Sequence, residues 1–291
     1  MRRLPSPEGR LARRAGRRRG RQRAQTAEEM PLPMITLAPF GVLGMQDTPE
    51  GSWVVTPSPG SDVVVMDQTS LRLIKVRPAQ AGAASRAVYA WLGILNDVAF
   101  PSEVRHALWC TARAQHFVYQ DKHCIHAVGP DFREMSRPES GELSKAFTEA
   151  ISCMAETYRA VFVEFASSGL RRLRFAPISG GSFAGPFQAD LPELTVAALR
   201  IALDHLRRRE RRHLLQAEAI ELCIGRVDEW DEFLAAWPVE DVLPAEDMAH
   251  ARARQGGEGA TAAPDSNRHL DILATPHLLP LVVPSRLLVP G

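Results

Sequence analysis

Hydrophobic positions along this chain switch between two periods in a regular order. Asp62-Val63-Val64-Val65-Met66 is a continuous β-branched run, the pattern of a strand covered on both faces. From Ala83 to Leu95, residues Ala87, Val88, Trp91, Leu92 and Leu95 fall on one side of a helix. His123 to Val128 reads as a strand stopped by Gly129-Pro130. Leu143 to Phe162 is a long amphipathic helix, with Leu143, Phe147, Ala150, Ile151, Met154 and Tyr158 at helical spacing. Leu173 to Ile178 is a strand that runs straight into the glycine-rich stretch 179–186. A helix over Leu191 to Arg209 follows, then a last strand, Ala217 to Gly225, and a last helix, Val227 to Trp237. Two weaker strand signals lie at Trp53 to Thr56 and in the mixed stretch Ala107 to Val118.

Strands alternating with helices predict an α/β fold, with a mainly parallel sheet and helices on both faces. Residues 26–50 are punctuated by Pro and Gly and read as a lead-in. Beyond Pro238 the chain is rich in Ala, Gly and Pro, then ends in a Leu/Pro stretch. The expected division is a basic disordered tail over 1–30, one domain over 31–240 and a low-order tail over 241–291.

Charge sharpens that division. Residues 1–25 hold ten arginines and one acid, Glu8. Setting them aside leaves 25 Lys and Arg against 33 Asp and Glu, a body near −8. Such a body is a poor general nucleic-acid binder, because phosphate contacts need surplus cations. The arginine tail has three readings: a solvated basic tail, a mitochondrial targeting segment, or a nuclear or nucleic-acid patch. Four cysteines, Cys110, Cys124, Cys153 and Cys223, all in apolar or helical stretches, are no disulfide framework and suit a reducing compartment. No apolar run approaches the roughly 20 residues that span a bilayer. The expectation is an intracellular protein of cytoplasm or nucleus, with the mitochondrion open because of the tail, and no membrane partner.

The candidate chemistry sits in the stretch 179–186. A glycine-rich turn between a strand and a helix points backbone N–H groups at one anion, and the helix start adds its dipole. In open α/β sheets ligands sit at the carboxyl ends of the strands, where this turn lies. The order of segments adds a resemblance. Asp62 to Ser70, then Ala81-Gly82-Ala83-Ala84-Ser85 opening a helix, then CIHAVGP (124–130), APISGGSFAGP (176–186) and LTVAALRIALDHL (194–206), resembles the macro domain family over roughly residues 50–237.

That resemblance implies a three-layer α/β/α fold with a mixed, mostly parallel sheet and a cleft for ADP-ribose, free or on a protein. It implies that Ser179, Gly180, Gly181, Ser182, Phe183 and Ala184 form the loop around the diphosphate. Phe183 would lie near the distal ribose, and Gly82, Ala83 and Ser85 would line the other side. The chain departs from the family pattern at three places. Thr69 stands where a functional Asn is usual, Ser85 takes the acidic position of hydrolytic members, and Val55 lies near the place of an acid that contacts adenine. Ser cannot act as a carboxylate base. Asp67 is the one nearby acid that could substitute. Three readings follow: a binding module with weak or no turnover, a mono-ADP-ribosyl hydrolase with a non-standard acid, or a degenerate fold serving a structural role.

Other constellations give less. His106, Cys110, His116, His123, Cys124 and His126 are dense, with Cys124 and His126 on one strand face, yet no CxxC or HxxxH pair exists. Core packing is the preferred reading, with no metal and no cofactor. There is no GxSxG elbow and no P-loop. The run Arg207 to Arg212 is expected to be the solvated last turn of a helix, where cations suit the helix dipole.

Overall fold

A computed structural model describes residues 33–133, 135 and 143–237. The chain divides into two units, Met1–Pro31 and Leu32–Gly291, and every described residue belongs to the second. The two expected tails, 1–30 and 241–291, lie outside the described residues.

One six-stranded sheet organises this unit, in the order β1-β8-β7-β4-β6-β5. Its strands are β1 (Thr36–Ala38), β4 (Val63–Thr69), β5 (Arg113–Tyr119), β6 (Lys122–Val128), β7 (Arg172–Phe175) and β8 (Ala219–Cys223). All neighbours run parallel except β5, which pairs antiparallel to β6 at one edge. The seven helices are α1 (Leu71–Ile74), α2 (Ala83–Leu92), α3 (Ser102–Ala107), α4 (Leu143–Ser168), α5 (Leu191–Asp204), α6 (Arg208–Leu215) and α7 (Val227–Ala236) among the described residues.

Period-two alternation in β4 sorts the core into two layers. Val64 and Met66 face a core built with Met154, Tyr158, Phe162 and Phe165 of α4, Leu199 and Leu203 of α5, and Phe233 of α7. Val65 faces the other side, with Val88, Tyr89 and Leu92 of α2 and Val104 of α3. The result is the three-layer α/β/α fold with a mixed, mostly parallel sheet that the sequence predicts. Helix α2 stops where Gly93 turns left-handed, φ 81°, and its N–H returns to the carbonyls of Ala90 and Tyr89.

Four details differ from the sequence expectation. The lead-in 26–50 contains β1 and a further strand, β2 (Met45–Thr48). The strand signal at 53–56 is β3 (Gly51–Val54), which pairs with β2 in an exposed hairpin outside the main sheet. The mixed stretch 107–118 holds the end of α3 and most of β5.

The single helix expected over Leu191 to Arg209 is two. Arg207 is extended (φ −68°, ψ 158°) and begins α6. Arg211 folds back and donates 3.0 Å hydrogen bonds to the carbonyls of Leu203 and Asp204, closing the end of α5. Those bonds satisfy carbonyls that a continued helix would have used. The arginine run therefore opens a helix instead of ending one.

At the edge strand β5, the His116 N–H donates to the Glu164 carboxylate of α4 at 2.9 Å.

Candidate functional site

The parallel strands β4, β6 and β7 deliver three loops to one end of the sheet. The loop after β6 and the glycine-rich loop after β7 are tied together closely. The Phe132 N–H donates to the Phe183 carbonyl at 2.9 Å, and the Ser179 hydroxyl donates to the Pro130 carbonyl at 2.6 Å. A Cβ at Gly185 would lie 2.2 Å from the Phe132 carbonyl oxygen, so only glycine admits this approach. From the α4 side, the Tyr158 hydroxyl accepts the Ile178 N–H at 2.8 Å. The loop is thus held in place by the chain's own contacts.

Its conformation suits anions. Ser179 and Gly181 both have positive φ, 61° and 58°. Gly181–Phe183 forms a 3-10 turn, closed by the Ala184 N–H on the Gly181 carbonyl at 3.2 Å. The N–H groups of Gly181 and Ser182, in the first turn of that element, have no partner within it. Both residues are exposed, whereas Ser179 and Ala184 are buried. Ser179 spends its hydroxyl on Pro130, so the two buried residues shape the loop and Gly180 to Phe183 form its open surface. Phe183 is half-buried, with the Arg133 guanidinium 4.7 Å over its ring; Arg133 also pairs with Asp131.

In the loop that opens α2, Gly82 is exposed and caps the start of the helix. Ala83 is the first residue of that helix. Ser85 is half-buried and donates to the Gln68 carbonyl at 2.9 Å, fastening α2 to the end of β4. Thr69, at the position where the macro resemblance expects a functional Asn, is 3% exposed and accepts the Tyr89 hydroxyl at 3.3 Å. Val55 follows the exposed hairpin.

Asp67 is 1% exposed, beneath the loops, on the sheet face covered by α2. One carboxylate oxygen, Oδ2, receives the Tyr89 hydroxyl at 2.6 Å and His126 Nδ1 at 2.8 Å. The other ring nitrogen of His126 lies 2.8 Å from the Tyr119 hydroxyl. Burial first, then the Asp67 charge, holds the Tyr89 phenol well above its ordinary range, so it stays protonated and donates. Asp67 Oδ1 has no hydrogen-bond partner among the described residues. Phe100 packs edge-on against both Tyr89 and His126. Tyr89, Tyr119 and the pairing of His126 with Asp67 escape a reading of the sequence. The signal that could have found them is register, since Asp67 and His126 are direct partners across β4 and β6.

The remaining histidines and cysteines do other work. His116 and His123 stack with rings 5.3 Å apart, and their ring nitrogens lie 3.1 Å from each other. Cys124 is fully buried, and burial pushes its thiol well above the ordinary range, which keeps it unreactive. Among the described residues no group of three or more His, Cys, Asp or Glu is arranged to hold a metal ion. Among them also, no helix is long and apolar enough to cross a membrane.

A layered α/β/α chain with a glycine-rich loop at the carboxyl end of a parallel strand is the class that fold and site define. No protein-family model matches the chain. No curated protein matches it. Solved structures do. The macro domain of ganglioside induced differentiation associated protein 2 aligns at TM-score 0.40 and 16% identity, over 60% of this chain and 76% of that one. A Trypanosoma brucei macrodomain in complex with ADP aligns at 0.36 and 18%, over 60% of this chain. The alphavirus P23pro-zbd aligns at 0.38 and 19%, over 71% of this chain. The chain spans 62% of the trypanosome chain and 23% of the alphavirus chain. All three scores lie below 0.5, so the fold description rests on the strands and helices themselves.

Proposed function

We propose that this protein binds ADP-ribose, free or carried on a protein, in the cleft between the loops at 82–85 and 179–184, with weak or no hydrolysis. The observation that carries this reading is the loop Gly180 to Phe183. It is tied to the neighbouring loop by Phe132 and Ser179, and it exposes backbone N–H groups of Gly181 and Ser182 at the end of a parallel strand. The macro-like order of motifs along the chain names the ligand. Two features argue against efficient turnover. Ser85 carries no carboxylate, and Asp67 is buried with Oδ2 already holding two donors. A general base must come within hydrogen-bond reach of the water it activates.

Calorimetric titration of the full chain with ADP-ribose, with AMP as control, tests this. Micromolar binding of ADP-ribose is expected, and Gly181→Glu should abolish it. That position has φ 58°, and a side chain there strains the loop and brings a negative charge to the anion. The variant must keep its melting temperature within a few degrees for the loss to count. A folded wild-type chain that fails to bind at millimolar ADP-ribose would refute the reading.

A further inference from the structure

The arginine run of α6 has lost its structural explanation. Cations at the end of a helix are favourable, but here Arg207, Arg208 and Arg209 stand at the beginning, where the dipole opposes them. Arg208 and Arg212 are four residues apart, and Arg209 and Arg212 three apart, so each pair shares a face and repels. Arg211 is accounted for by its bonds to the end of α5. The other four, Arg207, Arg208, Arg209 and Arg212, are exposed, and their guanidinium groups have no hydrogen-bond or ion-pair partner among the described residues.

Their position is defined by the sheet. Strands β7 and β8 begin at Arg172 and Ala219, and the N–H groups of Glu218 and Ala219 both bond to the Arg171 carbonyl. Helix α6 leads into this end of β8, whereas the glycine loop leaves the opposite end of β7. Exposed Arg171 lies beside the patch, with its guanidinium on the Gln216 carbonyl and Glu218. The segment 205–215 carries five arginines and one acid, Glu210, in a body whose charge is near −8. Among the described residues, no exposed large apolar side chain lies on α6. All the cations are arginine, whose planar fork fits phosphate oxygens in pairs.

We propose that this pole of the molecule is a second binding surface, distinct from the cleft, that grips the phosphate backbone of a nucleic acid without reading its sequence. The choice of a nucleic acid over a short acidic peptide follows from the row itself: four exposed guanidinium groups along one short helix, unpartnered among the described residues, match a chain of regularly repeated phosphates.

The test is fluorescence anisotropy with a labelled 20-nucleotide uridine oligomer and the full chain, across a salt series. The variant Arg208→Gln/Arg209→Gln/Arg212→Gln should bind about tenfold more weakly. Its slope of log affinity against log salt should be shallower by about 2, at roughly 0.7 per lost phosphate contact. Its melting temperature and its response to ADP-ribose should be those of the wild type. The control Arg72→Gln/Lys75→Gln/Arg77→Gln removes the same charge from around α1 and should bind the oligomer like wild type. Equal weakening in both triple variants would overturn the proposal in favour of diffuse charge. An unchanged arginine variant would overturn it in favour of the N-terminal arginines acting alone. Retention on phosphatidylserine vesicles with no oligomer binding would overturn it in favour of a lipid surface.

Discussion

The two faces of the central sheet are built by different chemistry. On the α4 side, strand β4 presents Val64 and Met66 to a core of Met, Phe, Tyr, Leu and Ala, with Tyr158 turning its hydroxyl to the loop backbone. On the α2 side the same strand presents Val65 and then Asp67, and the carboxylate gathers Tyr89, His126 and, through His126, Tyr119. An apolar layer tolerates small misfits, because dispersion and burial are nondirectional. A buried carboxylate does not, since removing one partner leaves others without bonds. The α2 face therefore fixes the alignment of β4, β6 and α2 more sharply than hydrocarbon packing can.

Asp67→Ala is the harshest way to break this contrast. It strands the Tyr89 hydroxyl and His126 in the interior, and a loss of about 3–5 kcal/mol is expected. Urea unfolding checks it. A loss below about 1 kcal/mol would mean the network holds nothing in register.

Tyr158→Phe probes a polar point within the mainly apolar face. It leaves the buried Ile178 N–H without its acceptor, at a cost of about 1–3 kcal/mol. Because that N–H precedes the glycine loop, ADP-ribose affinity should fall with it in the calorimeter. Lost stability with unchanged affinity would separate the loop from its α4 support.

The smallest expected effect comes from His116, at the edge of the sheet. Burial, and then the neighbouring His123, lowers its pKa below the ordinary imidazole value. The unfolded chain thus binds a proton at a pH where the folded chain does not. The contribution to stability is complete above the unfolded value, near 6.5, and shrinks as pH falls through it. His116→Gln should flatten that part of the stability profile between about pH 5 and 7. An unaltered profile would assign the pH dependence to other groups.

Much of this was legible in the chain. The Val63 to Met66 run, the strand before Gly129, and the strand leading into 179–186 declare themselves through local pattern. Three things did not. Strand β1 is three residues long and finds its partner β8 across 185 positions, as in the pair Thr36 and Glu221, which no local window contains. The break between α5 and α6 has neither Gly nor Pro to mark it; its cause is Arg211, whose bonds to Leu203 and Asp204 form only once the chain has turned. The Asp67 and His126 pair depends on strand register. At the site, the glycine loop was visible as a motif, but not that Ser179 and Ala184 face inward while Gly181 and Ser182 face out.

The bond between the His116 N–H and Glu164 has one further consequence. An outer strand normally offers its unspent amides as a template on which another molecule can lay down a strand of its own. Here helix α4 reaches around with a carboxylate and occupies one of those amides on β5. A newcomer would have to displace that carboxylate before completing its ladder, so this edge carries its own guard against fibre-like stacking.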